Sequence, residues 1–375
     1  MSIRKGAAFL ALFALILCAS VIEAGQRRNQ QQQQQQQQAP PPPPPVGPKA
    51  KSQEEATAFD AVRVDRNPNT RVTLADNFLT TYPASELTGY IQRFRMEALK
   101  AVNKHKEAIA AGEAALAFEI KFMEDLIKRA DQEQAAAKAA AEANRNTRNR
   151  DRNAPPPPAP LDKNSPEFQQ FAQETERALM YYYQNLMDSY QQLNDALKTM
   201  EYAEKALGQD PEDLLTLLTL SSVMAERPPA TGAEQHNKRA EELGKMALQK
   251  VNAFLSSPAA ANVPQEAKDG LSSQANSTMG LVYLNMKKWG DSQKAYIAAI
   301  NAKKDDPVSY FRLGLSYAQD NKIDLGMEAL AKSVFLKGIT EQQARDVLQQ
   351  LYENKNKSLE GLDKFIADAG AKIGQ

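Results

Sequence analysis

At 375 residues with 42% hydrophobic composition, the chain has enough apolar material for a sizeable core, but 21 prolines and obvious low-complexity runs leave only part of it available to fold. Lysine plus arginine and aspartate plus glutamate both number 46, so nothing in the charge calls for a nucleic acid or a strongly anionic partner. A single cysteine, Cys18, and two histidines, His105 and His236, exclude a disulfide framework and a thiolate metal site, and no tight His/carboxylate cluster replaces them.

Residues 1–24 open with Arg4 and Lys5, continue as an apolar run from Ala7 to Ile22, and offer small residues at Ser20 and Ala24. This is the pattern of a secretory signal peptide, so export to the periplasm, the cell envelope or the medium is expected. The alternative is an uncleaved anchor, since the run approaches the roughly 20 apolar residues that span a bilayer. Residues 25–51 hold Gln30 to Gln38 and then Pro40 to Pro45, neither of which can bury apolar surface. They predict a tether, flexible over the glutamines and stiff over the prolines.

Residues 52–133 turn helical from Glu54, and NPNTRVTLADNFLTTYPASE predicts a helix closed at Tyr82-Pro83, because proline cannot extend a helix. A helix pair follows from Tyr90 to Ala117, with Ala108, Gly112 and Ala115 as small residues on its second member, and a further long helix is expected after Phe118. Residues 134–164 run from alanine-rich sequence into RNTRNRDRNAPPPPAP. That stretch predicts a solvated linker, with an anion-binding arm at Arg145, Arg148, Arg150 and Arg152 as the sharper alternative.

Within residues 165–340, Ser165-Pro166, Asp210-Pro211 and Asp306-Pro307 each set a side-chain acceptor before a proline, which predicts three helix starts. ERPPATGAEQ and SSPAAANVPQEAKDG read as inserted loops on either side of a helix carrying Ala240, Gly244 and Ala247. The most regular stretch lies between Ser273 and Thr340. Gly280 and Tyr283 recur 34 residues later as Gly314 and Tyr317, Met279 returns as Leu313, Tyr296 as Leu330 and Ala299 as Ser333. Residues 341–375 predict capping helices: Thr340 and Gln343 form a capping-box pattern before TEQQARDVLQQLY, and SLEGLDKFIADAG is expected to fold back on that helix.

The 34-residue period, with Leu-Gly-x-x-Tyr-like first helices and Ala-rich second helices, resembles the tetratricopeptide repeat family. That resemblance implies an all-α solenoid of helical hairpins wound into a right-handed superhelix. It also implies a protein or peptide partner rather than catalysis, with Trp289 as a wedge in a hairpin turn. Carried over position by position, the family's concave groove falls on Tyr181, Gln184, Asp188, Gln191 and Gln192, then on Gln274, Ser277, Leu281, Leu284 and Asn285, then on Val308, Phe311, Leu315, Ala318 and Gln319. Less regular counterparts are Tyr90, Arg93, Glu97 and Lys100. This set lacks the Lys/Asn/Arg clamp with which some family members hold a C-terminal carboxylate. Tyrosine and glutamine there suit an extended peptide or amphipathic helix.

No phosphate loop, Gly-x-Ser-x-Gly elbow or His-Glu-x-x-His occurs, so neither an enzyme nor a cofactor or metal is expected. Membrane contact is expected only through an uncleaved N-terminal segment. The alternative function is an envelope-associated carbohydrate-binding or enzymatic module that uses the aromatics Tyr90 and Tyr181.

Overall fold

The computed structural model describes residues 46–145 and 159–373. The expected signal segment, the glutamine and proline runs and Arg148, Arg150 and Arg152 lie outside the described residues. Among the described residues there are fourteen α-helices and no strand. In chain order they are α1 (Gln53–Val64), α2 (Pro68–Thr81), α3 (Thr88–Ala101), α4 (His105–Arg145), α5 (Pro166–Gln192), α6 (Ala196–Gln209) and α7 (Leu214–Glu226). Then come α8 (Ala233–Leu255), α9 (Gln265–Asn285), α10 (Trp289–Ala302), α11 (Pro307–Gln319), α12 (Ile323–Leu336), α13 (Glu341–Asn356) and α14 (Leu362–Gly370).

The described residues fall into two units. Residues 129–145 and 159–162 belong to the smaller one, where the Leu161 amide donates to Glu133 Oε2 at 2.8 Å and Gln134 Nε2 donates to the Leu161 carbonyl at 3.3 Å. Residues 46–128 and 163–373 belong to the larger one, which is built of antiparallel helix pairs. Five hairpins, α3/α4, α5/α6, α7/α8, α9/α10 and α11/α12, follow one another after the N-terminal helices α1 and α2, and the C-terminal helices α13 and α14 both pack on α12.

Each hairpin needs a tight reversal, and four of the five use the same one. Asn103, Asn194, Lys287 and Asn321 all adopt the left-handed conformation, with φ between 57° and 58°. The residue after each donates back to a carbonyl five positions earlier: Lys104 to Leu99, Asp195 to Tyr190, Lys288 to Tyr283 and Lys322 to Tyr317, at 2.9 to 3.0 Å. This closes the exposed carbonyls of the first helix while reversing the chain. Asparagine tolerates that backbone region; lysine does not, at a cost of about 1–2 kcal/mol. Lys287→Gly is therefore expected to stabilise the protein by about 1 kcal/mol in urea denaturation. The same change at Asn321 is expected to gain less, and an equal gain at both positions would contradict the account.

The second recurring device is the absence of a side chain where the hairpin helices cross. A Cβ built on Gly280 would lie 2.8 Å from ring carbons of Tyr296, and one on Gly314 would lie 2.6 Å from Leu330 Cγ. Tyr296 and Leu330 are both fully buried, so each glycine admits the large residue that its own partner helix supplies. Ser292 Oγ adds a bond across the same crossing, to the Gly280 carbonyl at 2.9 Å. One apolar cluster runs from Met96 on α3 to Ala329 on α12. Separate clusters serve the N-terminal helices, around Val62, Phe78 and Ile91, and the C-terminal helices, around Leu330, Leu348 and Ile366. The segment SLEGLDKFIADAG folds back chiefly on α12 rather than on α13 as expected, burying Leu362, Ile366 and Ala369, and meets α13 through Tyr352 and Phe365, whose rings lie 5.7 Å apart.

Several local expectations change. The second helix of the α3/α4 hairpin does not stop near Ala117; α4 is one helix of 41 residues, because no proline or glycine and mostly good helix formers follow Gly112 up to Asn144. Ser165 and Asp306 cap helices as predicted, accepting from the Phe168 amide at 3.2 Å and the Val308 amide at 3.0 Å. Asp210 does not. Its Oδ1 accepts from the Glu212 amide at 2.9 Å in a turn that contains Pro211, and Asp213 caps α7 through the Thr216 amide. Thr340 makes no capping bond, since its backbone is already helical (φ −99°, ψ 0°) rather than extended, and its hydroxyl lies 3.3 Å from Ser333 Oγ.

The two insertions are also less loop-like than expected. In the first only residues 227–232 stay outside a helix, and in the second a single 3₁₀ turn, Pro258–Ala260, precedes α9 at Gln265. The extra residues lengthen α8 to 23 residues and α9 to 21 rather than bulging out entirely.

Candidate functional site

The first helices of the hairpins, α3, α5, α7, α9 and α11, carry the positions expected to line a groove, and the structure divides those positions into distinct neighbourhoods. Gln274, Ser277 and Leu281 on α9 line one cleft of about 270 Å³, together with Ser222 and Glu226 of α7 and Arg312 of α11. Gln191 lines a second cleft of about 490 Å³, with Asn194, Thr199, Val223 and Arg227. Ser222 and Glu226 belong to both clefts, so the two adjoin across α7.

The cleft residues of α7, Ser222 and Glu226, are what the sequence reading missed. The LLTLLTLSSVMAE run of that helix is apolar nearly all round, burying Leu217, Leu218 and Leu220, and it lacks the Gly-Tyr pair that fixes register on α9 and α11. The signal that was present lies at its end, where Ser222 and Glu226 are four residues apart and therefore share a helix face.

Cross-helix bonds hold the cleft walls. Arg312 on α11 pairs with Glu226 on α7, Arg227 Nη2 donates to Asn194 Oδ1 at 3.0 Å, and Asn285 Nδ2 donates to the Ala225 carbonyl at 2.7 Å. Asn285 is thus committed to holding α9 against α7. Ser309 Oγ donates to Asp306 Oδ2 at 2.6 Å and sits 3.2 Å from Ser277 Oγ, fixing the α9 edge of the first cleft to α11. Gln274 and Gln191 are exposed and free to turn toward a guest.

The remaining predicted positions are placed elsewhere. Tyr181 is half-buried; its hydroxyl donates to Glu97 Oε1 at 2.8 Å and Arg93 lies over its ring at 5.0 Å. Burial first, and then the Glu97 carboxylate, push the Tyr181 hydroxyl well above the ordinary tyrosine range. Asp188 pairs with Lys100 at 2.8 Å, and Lys100 also donates to Asn185 Oδ1 at 2.7 Å. Glu97 further accepts from Arg71 and Arg93, each at 3.1 Å. The α3 and α5 positions thus form an internal network rather than an open wall. Gln184 is half-buried on α5, and Gln192 is exposed at its end. Phe311 packs against the C-terminal apolar cluster, Val308 is half-buried at the start of α11, and Gln319 is exposed at its end; none of these three lines the adjoining clefts.

Trp289 is half-buried as the first residue of α10, and its carbonyl accepts from Ser316 Oγ at 3.3 Å, which ties the α9/α10 turn to α11. Among the described residues no group of three or more histidine, cysteine, aspartate or glutamate side chains is arranged to hold a metal ion, and no helix is long and apolar enough to cross a membrane.

No protein-family model matches this chain, and no curated protein matches it. Solved structures do resemble it. The MamA protein matches at a TM-score of 0.37 and 20% identity, over 52% of this chain and 93% of that one. A tetratricopeptide repeat protein from Parabacteroides merdae ATCC 43184 matches at 0.43 and 12% identity, over 86% of this chain and 100% of that one. Successive antiparallel hairpins, a 34-residue recurrence of Gly280 and Tyr283, and a repeated left-handed turn make the larger unit of this chain a tetratricopeptide-like helical-hairpin solenoid.

Proposed function

We propose that this protein is a non-catalytic interaction scaffold that holds an extended peptide segment of a partner protein along the adjoining clefts on α5, α7, α9 and α11. The observation that carries the reading is the sharing of Ser222 and Glu226 by two clefts, which gives a guest a continuous run from Gln191 to Gln274. An extended chain presents a donor and an acceptor at every residue. Glutamine amides and serine hydroxyls can answer both, whereas a carboxylate only accepts. The residue 1–24 pattern supports export to the cell envelope as part of the same proposal. A sugar platform at Tyr181 is disfavoured, because the Arg93 guanidinium already covers that ring.

Panning a random peptide library against the full chain tests the groove. Selected peptides are expected to bind at least about tenfold more weakly to a Ser222→Arg/Ser277→Arg variant, since two arginine side chains would occupy the shared part of the clefts. Circular dichroism should be unchanged, because Ser222 and Ser277 lie outside the apolar clusters. Peptides that bind the variant as well as the parent would remove the groove from the proposal.

A further inference from the structure

A separate cleft of about 330 Å³ opens among α3, α4 and α5, with Tyr90, Glu119, Phe171, Glu174 and Thr175 in its lining. It shares no lining residue with the adjoining clefts described above. Its polar groups are left unusually short of partners. Thr175 is 6% exposed and its hydroxyl has no hydrogen-bond partner. Glu119 is 5% exposed and forms no salt bridge among the described residues, although a carboxylate buried to that degree is normally paired. Tyr182 Oη, fully buried, has no partner in good hydrogen-bond geometry either, yet lies close enough to favour the ionised form of Glu119.

Two cations line the cleft: Arg177 is exposed at its edge, and Arg93 is already engaged. Arg93 donates from Nε to Glu97 at 3.1 Å and lies over the Tyr181 ring, so its charge only partly offsets the burial that raises the Glu119 carboxyl above its usual range. Glu174 is exposed on α5, where its Oε1 accepts from Gln170, and the Tyr90 hydroxyl is raised by burial and by the charges of Glu119 and Glu174 together. The cleft therefore combines acceptors in want of a donor with aromatic walls at Tyr90 and Phe171.

We propose that this cleft binds a primary ammonium group on an aliphatic stem, the chemistry of a lysine side chain. An ammonium has three N–H donors and no acceptor, and Glu119, Glu174 and Thr175 Oγ1 supply three acceptors. Tyr90 and Phe171 give the methylene stem apolar and ring-face contact. A carboxylate guest would meet Glu119 at the buried end and be repelled.

The test titrates the full chain with Nα-acetyl-lysine amide, its Nε-acetylated counterpart and n-butylamine, read by saturation-transfer NMR and calorimetry. The lysine amide is expected to bind saturably, and Nε-acetylation or Glu119→Gln is expected to weaken it about tenfold or more. Arg177→Ala is expected to strengthen binding, because it removes a like charge from the exposed edge of the cleft. Equal binding of butylamine and the lysine amide supports a site for free amines, and tighter binding of the amide supports a peptide-borne lysine. Equal affinity for the acetylated probe, or absence of saturable binding by the lysine amide, overturns the proposal even if Glu119→Gln fails to fold. Neither result bears on the peptide groove, whose variants lie on other helices.

Discussion

Gly314→Ala is expected to destabilise the protein by about 3 kcal/mol, because the helix crossing leaves no room for the added methyl group. The new Cβ would lie 2.6 Å from Leu330 Cγ, 3.0 Å from Leu330 Cδ2 and 3.0 Å from the Gly326 carbonyl oxygen. Leu330 is fully buried and cannot swing out, and the Gly326 oxygen belongs to the backbone of α12, so relief requires the two helices to move apart. Separating α11 from α12 opens the contact on which the C-terminal helices rest. The measurement is urea denaturation of the parent, Gly314→Ala, Leu330→Ala and the double variant. Leu330→Ala alone should cost about 2–5 kcal/mol through its cavity. Trimming the leucine removes two of the three close contacts, so the double variant should lose less than the sum of the singles by about 1 kcal/mol or more. Strict additivity, or a loss under about 0.5 kcal/mol for Gly314→Ala, would refute the crossing argument.

Glu113→Ala is expected to cost about 2–3 kcal/mol, for a different reason. Glu113 Oε1 on α4 accepts from two phenols at once, Tyr190 Oη on α5 at 2.7 Å and Tyr202 Oη on α6 at 2.9 Å, and the two rings stack at 5.5 Å. One carboxylate thereby joins two hairpins, and its removal leaves a hydroxyl stranded on a tyrosine that is 5% exposed. The same arrangement makes the protein alkali-sensitive. Burial first, and then the bond to Glu113, push both phenols well above the ordinary tyrosine range. A group whose proton is held more tightly when folded stabilises fully below its unfolded pKa. That contribution should therefore be intact below about pH 10 and decline as the pH rises beyond it toward the folded values. Denaturation midpoints followed from neutral pH upward, with phenolate absorbance as the companion readout, should show this decline. Glu113→Gln, which keeps an acceptor without the charge, should show a shallower one. A parent protein whose stability is flat through that range would sink the linkage.

The parts of this fold that were legible in the sequence are those where one residue type has one structural use. Gly280 and Gly314 repeat because a helix crossing admits no side chain there, and Pro166 and Pro307 mark helix starts because they forfeit no hydrogen bond. Misreadings arose where one residue type serves two ends. Asp210 before Pro211 looks like a start but builds the turn that ends α6, and Thr340 looks like a cap but spends its hydroxyl on Ser333. The groove was harder to read than the hairpins. Its positions were carried over by period, and α7 has no glycine to anchor the count, so Ser222 and Glu226 escaped notice although two clefts meet on them. On α3 and α5 the positions were counted to the right helices, but counting cannot show that Lys100 and Asp188, or Tyr181 and Glu97, satisfy each other.

The apolar cluster that begins at Met96 and ends at Ala329 belongs to no single hairpin, and this bears on how the chain can be cut. Excising one pair of helices from the middle would expose two raw faces where there had been none, and neither survivor carries a polar lid to seal it. The two terminal clusters are the natural seams. Unravelling should start there and work inward, so that any piece meant to survive by itself has to keep both ends.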